Sequence, residues 1–325
     1  MNEHLMEVSN LKKYFHIGKN KNLKAVDDVS FYLDEGETLG IVGESGCGKT
    51  TCGKTCIGML EKTEGSVRYK GKEIHEMDKK DFFDFTGQVQ MIFQDPYSSL
   101  DPHMKVYDII AEGLKIHYMT VSREQEKKRV YELLENVGMN IEYVNRYVHE
   151  FSGGQRQRIG IARALALNPQ LIFCDEPVSA LDVSVQAQIM NLLEKLKEER
   201  HLALLFVAHD LAVVQHISDR IGVMYLGTMV EIGRTEQIME SAAHPYTKAL
   251  LSAIPIADPR KEKARQQIIL EGDIPSPSDE ISGCRFAGRC PEAREVCSKE
   301  KPETYEIEEG HFVTCHLYRG GNENE

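Results

Sequence analysis

Gly43-Glu44-Ser45-Gly46-Cys47-Gly48-Lys49-Thr50 spells G-x-x-x-x-G-K-T. An apolar run, Thr38-Leu39-Gly40-Ile41-Val42, precedes it and reads as a buried strand; a helix-compatible run starts at Lys49. Strand, glycine loop and helix in that order is the setting in which this spacing holds phosphate. The glycines let the backbone turn tightly and approach an anion, which then meets backbone N–H groups and the helix N-terminus. On this reading Lys49 reaches the β- and γ-phosphates and the Thr50 hydroxyl binds Mg²⁺. Gly43, Glu44, Ser45, Gly46, Cys47, Gly48, Lys49, Thr50 and Thr51 are the candidate nucleotide-binding residues.

Working outward, two further apolar runs end in polar residues. Leu171-Ile172-Phe173-Cys174 follows Asn168-Pro169, which terminates a helix, and delivers Asp175 and Glu176. In an open parallel sheet ligands gather beyond the carboxyl ends of the strands. Asp175 at such an end can hold Mg²⁺, and Glu176 can polarise an attacking water, the positioning that phosphoryl transfer requires. Residues 202–208 form the longest clean apolar run and end at His209, where an imidazole can sense the transferred group. Gln94 ends another apolar stretch, placed to touch both metal and water. Without the phosphate loop, the two carboxylates would read as a solvated acidic turn before Pro177.

The bulk numbers fit this reading. The 325 residues suffice for one large domain or two, and 41% hydrophobic with 28% charged is ordinary for a globular chain. A net charge of −12, from 39 basic and 51 acidic residues, argues against a general nucleic-acid partner, though not against a local basic patch. The longest apolar run is far short of the roughly 20 residues a spanning helix needs. Met1-Asn2-Glu3-His4 lacks a signal-peptide layout, so the expected location is cytoplasmic, with membrane partners supplied by other chains.

These residues resemble the motifs of the ATP-binding cassette family. The stretch 43–50 is similar to its Walker A motif and 171–176 to its Walker B motif. Gln94 resembles the Q-loop, His209 the switch histidine, and Ser179-Ala180-Leu181-Asp182 the D-loop. Phe151-Ser152-Gly153-Gly154-Gln155 resembles the signature motif, with Phe where Leu is commoner. The resemblance implies an α/β P-loop ATPase core with an antiparallel β layer and an inserted helical subdomain. It implies Glu176, His209 and Gln94 as catalytic residues, and Thr50, Gln94 and Asp175 around Mg²⁺. It also implies an aromatic on adenine, with Phe15 at the expected spacing and Tyr14 the runner-up. Ser152, Gly153, Gly154 and Gln155 open a helical run whose free N–H groups make a second phosphate receptor. In the family this receptor, with the D-loop residue Asp182, acts on the partner subunit's nucleotide.

Longer stretches narrow the resemblance to the ATPases of oligopeptide and dipeptide importers, closest to the second of their two ATPase subunits. They are Phe93-Gln94-Asp95-Pro96-Tyr97-Ser98-Ser99-Leu100-Asp101-Pro102, residues 146–158, His244-Pro245-Tyr246-Thr247-Lys248 and Gly272-Asp273-Ile274-Pro275-Ser276-Pro277. Asp101 stands where Asn is common. Such a subunit implies a sister ATP-binding subunit in a pseudo-symmetric pair, two membrane permease subunits and an extracytoplasmic solute-binding protein. ATP closes the pair and hydrolysis opens it, at the cytoplasmic face of the membrane. An importer of nickel, glutathione or another small solute is the alternative. A soluble non-transport cassette would favour two cassettes or a long coiled coil, and neither is evident. A non-hydrolysing subunit is opposed by Lys49, Asp175, Glu176 and His209.

Four of the eight cysteines, Cys47, Cys52, Cys56 and Cys174, lie among nucleotide-site segments; Cys284, Cys290, Cys297 and Cys315 cluster near the end. In a reducing compartment the second group reads as metal-binding rather than disulfide-forming. Nearby glycine and proline suit a loop wrapped around a metal. The resemblance implies a four-iron four-sulfur cluster; zinc or a metal-free tail are the alternatives, with His311 and His316 as substitute ligands. The expected division is a cassette domain at 6–256, with its helical subdomain at about 96–166, and an extension at 257–325. The charged stretch 257–270 reads as a linker or exposed helix.

Overall fold

In the computed structural model, residues 4–18, 21–120, 122–255 and 267–319 are described. The charged run at 258–263, read as a linker, lies outside them.

The short all-apolar runs become the centre of a sheet. Strand β3 (Thr38–Val42) is buried at every position and lies parallel to both β8 (Ala203–Ala208) and β9 (Arg220–Tyr225). Strand β7 (Leu171–Asp175) extends the sheet beside β8, and β6 (Val89–Ile92) lies beyond it, again parallel. Continuous apolar sequence is what a parallel strand covered on both faces requires. Helix α1 (Lys49–Cys56) packs close against β7, because a Cβ on Gly53 would lie 2.2 Å from the Phe173 ring.

A second, antiparallel sheet is built from β1 (Met6–His16), β2 (Asn22–Leu33), β4 (Glu64–Tyr69) and the two-residue β5 (Lys72–Glu73), in the order β2-β1-β4-β5. Between β6 and β7 the chain runs through α3 (Val106–Ile116), α4 (Arg123–Asn136) and α5 (Gly153–Leu165), after the earlier α2 (Lys79–Gln88). The stripe Val130, Leu133, Leu134 and Val137 is wholly buried, so it packs this helical insert. Helix α6 (Val183–Arg200) follows β7.

The extension departs from a loop wrapped around a metal. Strands β11 (Thr304–Glu308) and β12 (His311–Thr314) form a hairpin, and β12 pairs with β10 (Thr228–Arg234). Among the described residues the core sheet therefore has eight strands, β11-β12-β10-β9-β3-β8-β7-β6. Phe286 of the extension is buried between Tyr225 and Tyr246, with ring centroids 5.1 and 5.4 Å away. Buried Glu231 on β10 accepts from the His311 ring at 2.8 Å and from the Ala243 and His244 N–H groups at 2.7 and 2.9 Å. Burial alone would raise its pKa; hydrogen bonds from His311 and these amides help carry it below the usual carboxylate range.

Candidate nucleotide site

The parallel strands β3, β6, β7 and β8 all end at one edge, and the polar residues that follow them converge there. A cavity of about 300 Å³ is lined by Ser45, Gly46, Gly48, Lys49, Thr50 and Thr51, with Gln94 and Glu176 at one side and Phe15, Leu23, Lys24 and Ala25 at another. Leu226, Gly227 and Pro277 complete the wall.

The loop's shape is imposed by close approach. Gly48, at φ 102°, leads into α1, and a Cβ there would lie 2.0 Å from the Ala25 carbonyl oxygen. A Cβ on Gly43 would lie 2.1 Å from the Met224 carbonyl oxygen. Both contacts are with backbone, which yields little. The Lys49 ammonium is buried and donates to the carbonyls of Gly43 and Glu44 at 2.8 and 3.0 Å. Gly43, Glu44 and Cys47 do not line the cavity: the Glu44 carboxylate pairs with Arg289, and the Cys47 thiol is buried behind the loop, its pKa raised by that burial.

Thr50 Oγ1 donates to Asp175 Oδ1 at 2.5 Å, and Lys54 Nζ stands 3.8 Å from the other carboxylate oxygen. Burial pushes the Asp175 pKa up, against the pull of Thr50 and Lys54. A buried carboxylate whose charge is costly, facing a hydroxyl, is a donor set suited to a hard divalent cation. Next in sequence, Glu176 has φ 44°, a left-handed conformation uncommon outside glycine and a frequent mark of functional sites. Its N–H donates to the Val207 carbonyl at 3.0 Å, which ties it to β8. Gln94 Nε2 donates to Glu176 Oε2 at 2.8 Å, and His209 Nδ1 lies 3.7 Å from the same oxygen. The histidine side chain is 57% exposed and the glutamate 15%, so the imidazole stands on the open side of the carboxylate.

Phe15 and Tyr14 separate as neighbours on a strand must, to opposite faces. Phe15 lines the cavity; the Tyr14 hydroxyl donates to Asp27 instead. The signature residues and Asp182 stand away from the cavity. Ser152 caps α5, accepting from the Gln155 N–H, while Gln155 Oε1 accepts from the Ser152 N–H at 3.1 Å. A Cβ on Gly154 would lie 2.5 Å from Val185, which lets the start of α5 pack against α6. Asp182 caps α6, accepting from the Val185 N–H at 3.0 Å, and its pKa is lowered chiefly by the Ser184 hydroxyl.

Sequence reasoning missed the wall residues Leu23, Lys24, Ala25, Leu226, Gly227 and Pro277, and it missed Arg285 and Arg289. Arg285 donates to the Leu226 carbonyl and to Asp27. Their signal was faint: two arginines in Cys284-Arg285-Phe286-Ala287-Gly288-Arg289-Cys290, a segment read for its cysteines.

The four C-terminal cysteines are free thiols, Cys297 and Cys315 buried and Cys284 and Cys290 partly so. Burial, more than neighbouring thiols, pushes Cys284 up to about 11, and raises Cys290 and Cys315. Among the described residues no group of three or more His, Cys, Asp or Glu is arranged to hold a metal ion, so the arrangement does not fit the expected iron–sulfur cluster or zinc. His311 is bound to Glu231 and His316 to the Glu300 carbonyl at 2.9 Å. Among the described residues no helix is long and apolar enough to cross a membrane.

Comparison with known proteins bears on the whole chain. Residues 26–179 match the family described as ABC transporter, and residues 230–297 match the C-terminal region of oligopeptide/dipeptide transporters. The oligopeptide transport ATP-binding protein OppF of Escherichia coli (strain K12) is 51% identical, over 96% of this chain and 95% of that protein. AppF of Bacillus subtilis (strain 168), also an oligopeptide transport ATP-binding protein, is 50% identical over 97% and 98%. Among solved structures, the ATP-binding cassette MJ0796 in a dimeric post-hydrolysis state bound to ADP and Pi is 29% identical. It covers 71% of this chain and 98% of its own, with a TM-score of 0.65. Phosphate loop, strand-end carboxylates, helical insert and C-terminal region thus agree, and the chain belongs to the ABC transporter ATP-binding proteins, in their oligopeptide/dipeptide group.

Proposed function

We propose that this chain is the ATP-binding and ATP-hydrolysing subunit of an importer and energises uptake of oligopeptides or dipeptides through separate membrane subunits. The observation that carries the reading is the convergence of Gln94, Glu176 and His209 beside a cavity walled by Lys49 and Thr50. Glu176 Oε2 orients and polarises the attacking water. Gln94 fixes that carboxylate from one side, and His209, across it, hydrogen-bonds the transferred phosphoryl group. Lys49, now bound to loop carbonyls, turns its ammonium to the phosphates when nucleotide enters. Thr50 and Asp175, with Gln94, are the residues that would hold Mg²⁺, whose charge offsets that of the phosphates. Phe15 stacks on the base.

Ser152, Gly153 and Gly154 at the N-terminal end of α5 do not line the chain's own cavity, which supports an action on a partner's nucleotide. The MJ0796 cassette is dimeric in its solved structures, and a sister ATP-binding subunit fills the role here. Two permease subunits and an extracytoplasmic solute-binding protein complete the assembly, with this chain peripheral at the cytoplasmic face of the membrane. Peptide cargo is supported by the names of OppF and AppF and by the C-terminal region match. The cassette domain spans 6–256, with its helical subdomain at about 96–166; the extension, 257–325, lends its hairpin to the cassette's sheet. An iron–sulfur cluster in the extension has only the spacing of Cys284, Cys290, Cys297 and Cys315 and the family resemblance to support it. Metal analysis of anaerobically purified protein decides it: iron that is lost on replacing Cys284 and Cys290 by Ser supports it, and metal-free protein ends it.

The test of hydrolysis is Glu176→Gln in the assembled complex. ATP should be trapped with turnover lost; unchanged turnover in this chain's site refutes the role assigned to the carboxylate.

A further inference from the structure

The nucleotide cavity borrows part of its wall from the far end of the chain. Pro277 lines it, and the Pro277 carbonyl accepts from the Lys24 N–H at 3.1 Å. Further along the extension, Arg289 reaches the phosphate loop from behind. Its Nη1 lies 3.2 and 2.9 Å from the two carboxylate oxygens of Glu44, and its Nη2 lies 3.1 Å from Oε1. Forked, charge-assisted pairing of this kind is both strong and directional. The side chains are only 10% and 25% exposed, so solvent screens the pair weakly. The Tyr246 hydroxyl accepts from the Glu44 N–H at 3.0 Å. The Glu44 carbonyl in turn holds the Lys49 ammonium at 3.0 Å. Glu44 is thus gripped at its side chain and its amide, while its carbonyl steers the lysine that meets phosphate.

We propose that Arg289 is a positioning residue for ATP binding, acting through Glu44 to hold the phosphate loop in its binding shape. The extension is then a working part of the nucleotide site as well as an addition to the sheet. The inference rests on the reading of residues 43–51 as the nucleotide site. Arg289 does not itself line the cavity, so it acts through its partners: the Glu44 carboxylate first, with the Tyr225 hydroxyl 3.5 Å from Nη1. A residue that merely anchored the tail would change the melting temperature and leave nucleotide affinity alone.

The experiment is titration of the full-length chain with a fluorescent ATP analogue, with the melting temperature of each variant recorded. Wild-type binding that is lost in Lys49→Ala upholds the site itself. Given that, Arg289→Gln should weaken binding about tenfold, the scale of one lost charged hydrogen-bond pair. Arg289→Lys should recover only part of the loss, because an ammonium cannot reproduce the fork. Glu44→Ala should weaken binding to a similar degree, and adding Arg289→Gln to it should change little further, as expected of two residues on one path. Wild-type affinity in Arg289→Gln, or two losses that simply add, overturns the inference while leaving the site intact. Should Arg289→Gln fail to fold, Glu44→Ala decides alone: folded protein with wild-type affinity overturns the inference. Absence of analogue binding by the wild type overturns the site reading, and the inference falls with it.

Discussion

The phosphate loop and the C-terminal extension meet at Glu44, yet they are held by different physics. The loop keeps its shape through missing atoms: Gly43 and Gly48 lie where a Cβ would strike the carbonyls of Met224 and Ala25. The extension keeps its place through added charge and surface: Arg289 on Glu44, Arg285 on Asp27, His311 on Glu231, and Phe286 among aromatic rings. Where sterics shape the loop, no larger side chain is tolerated. A segment held by ion pairs can be loosened in steps. The glycines set the path that the loop can take, and at Glu44 the second kind of restraint reaches the loop and connects it to the rest of the molecule.

The comparison can be broken most severely by adding one methyl group. Gly48→Ala drives a Cβ toward the Ala25 carbonyl in a backbone conformation unsuited to alanine, and displaces Lys49. Turnover in the assembled complex should fall by about a hundredfold, the usual consequence of a misplacement of roughly 1 Å. On the charge-held side, Glu231→Ala leaves His311 and two amides without their acceptor. Denaturant unfolding should show a loss on the order of 3 kcal/mol, as for one partner removed from a buried pair. The same carboxylate sets a pH dependence. Its folded pKa is depressed, so the stability it contributes is present at neutral pH and above the unfolded value. That stability is lost as pH falls through the depressed folded value. Acid titration of unfolding should show this loss in the wild type and not in Glu231→Ala. The smallest effect is expected at Phe15→Ala: nucleotide affinity should drop about tenfold from the loss of one aromatic stack. An unchanged affinity would remove Phe15 from the base site.

Much of the site was legible because its parts are short and contiguous. G-x-x-x-x-G-K-T is a local backbone shape, and each strand-end residue sits directly after an apolar run that had to be buried. Gln94, Asp175, Glu176 and His209 could therefore be placed at one sheet edge before their partners were known. The extension was legible only as a separate tail. The pairing of β12 with β10 depends on contacts about eighty residues apart, and β11 alternates in burial with little apolar content to announce it. Arg289 and Pro277 were hidden for a related reason: an arginine's partner lies wherever the fold delivers it, and Pro277 contributes a wall and a backbone carbonyl. The cysteines teach the opposite lesson. Their spacing suggested a metal, but among the described residues no group of three or more possible ligands is arranged to hold one, and spacing alone did not reveal that. Cys52, Cys56 and Cys174 are plainly buried packing.

The central claim is that Glu176, steadied by Gln94 and faced by His209, drives hydrolysis in a cavity completed by a partner. The direct measurement is single-turnover ATP hydrolysis by the reconstituted complex in which this chain carries Glu176→Gln and the sister subunit carries the matching substitution. The account predicts nucleotide held tightly and cleavage reduced to a trace. Cleavage at the wild-type rate would contradict it.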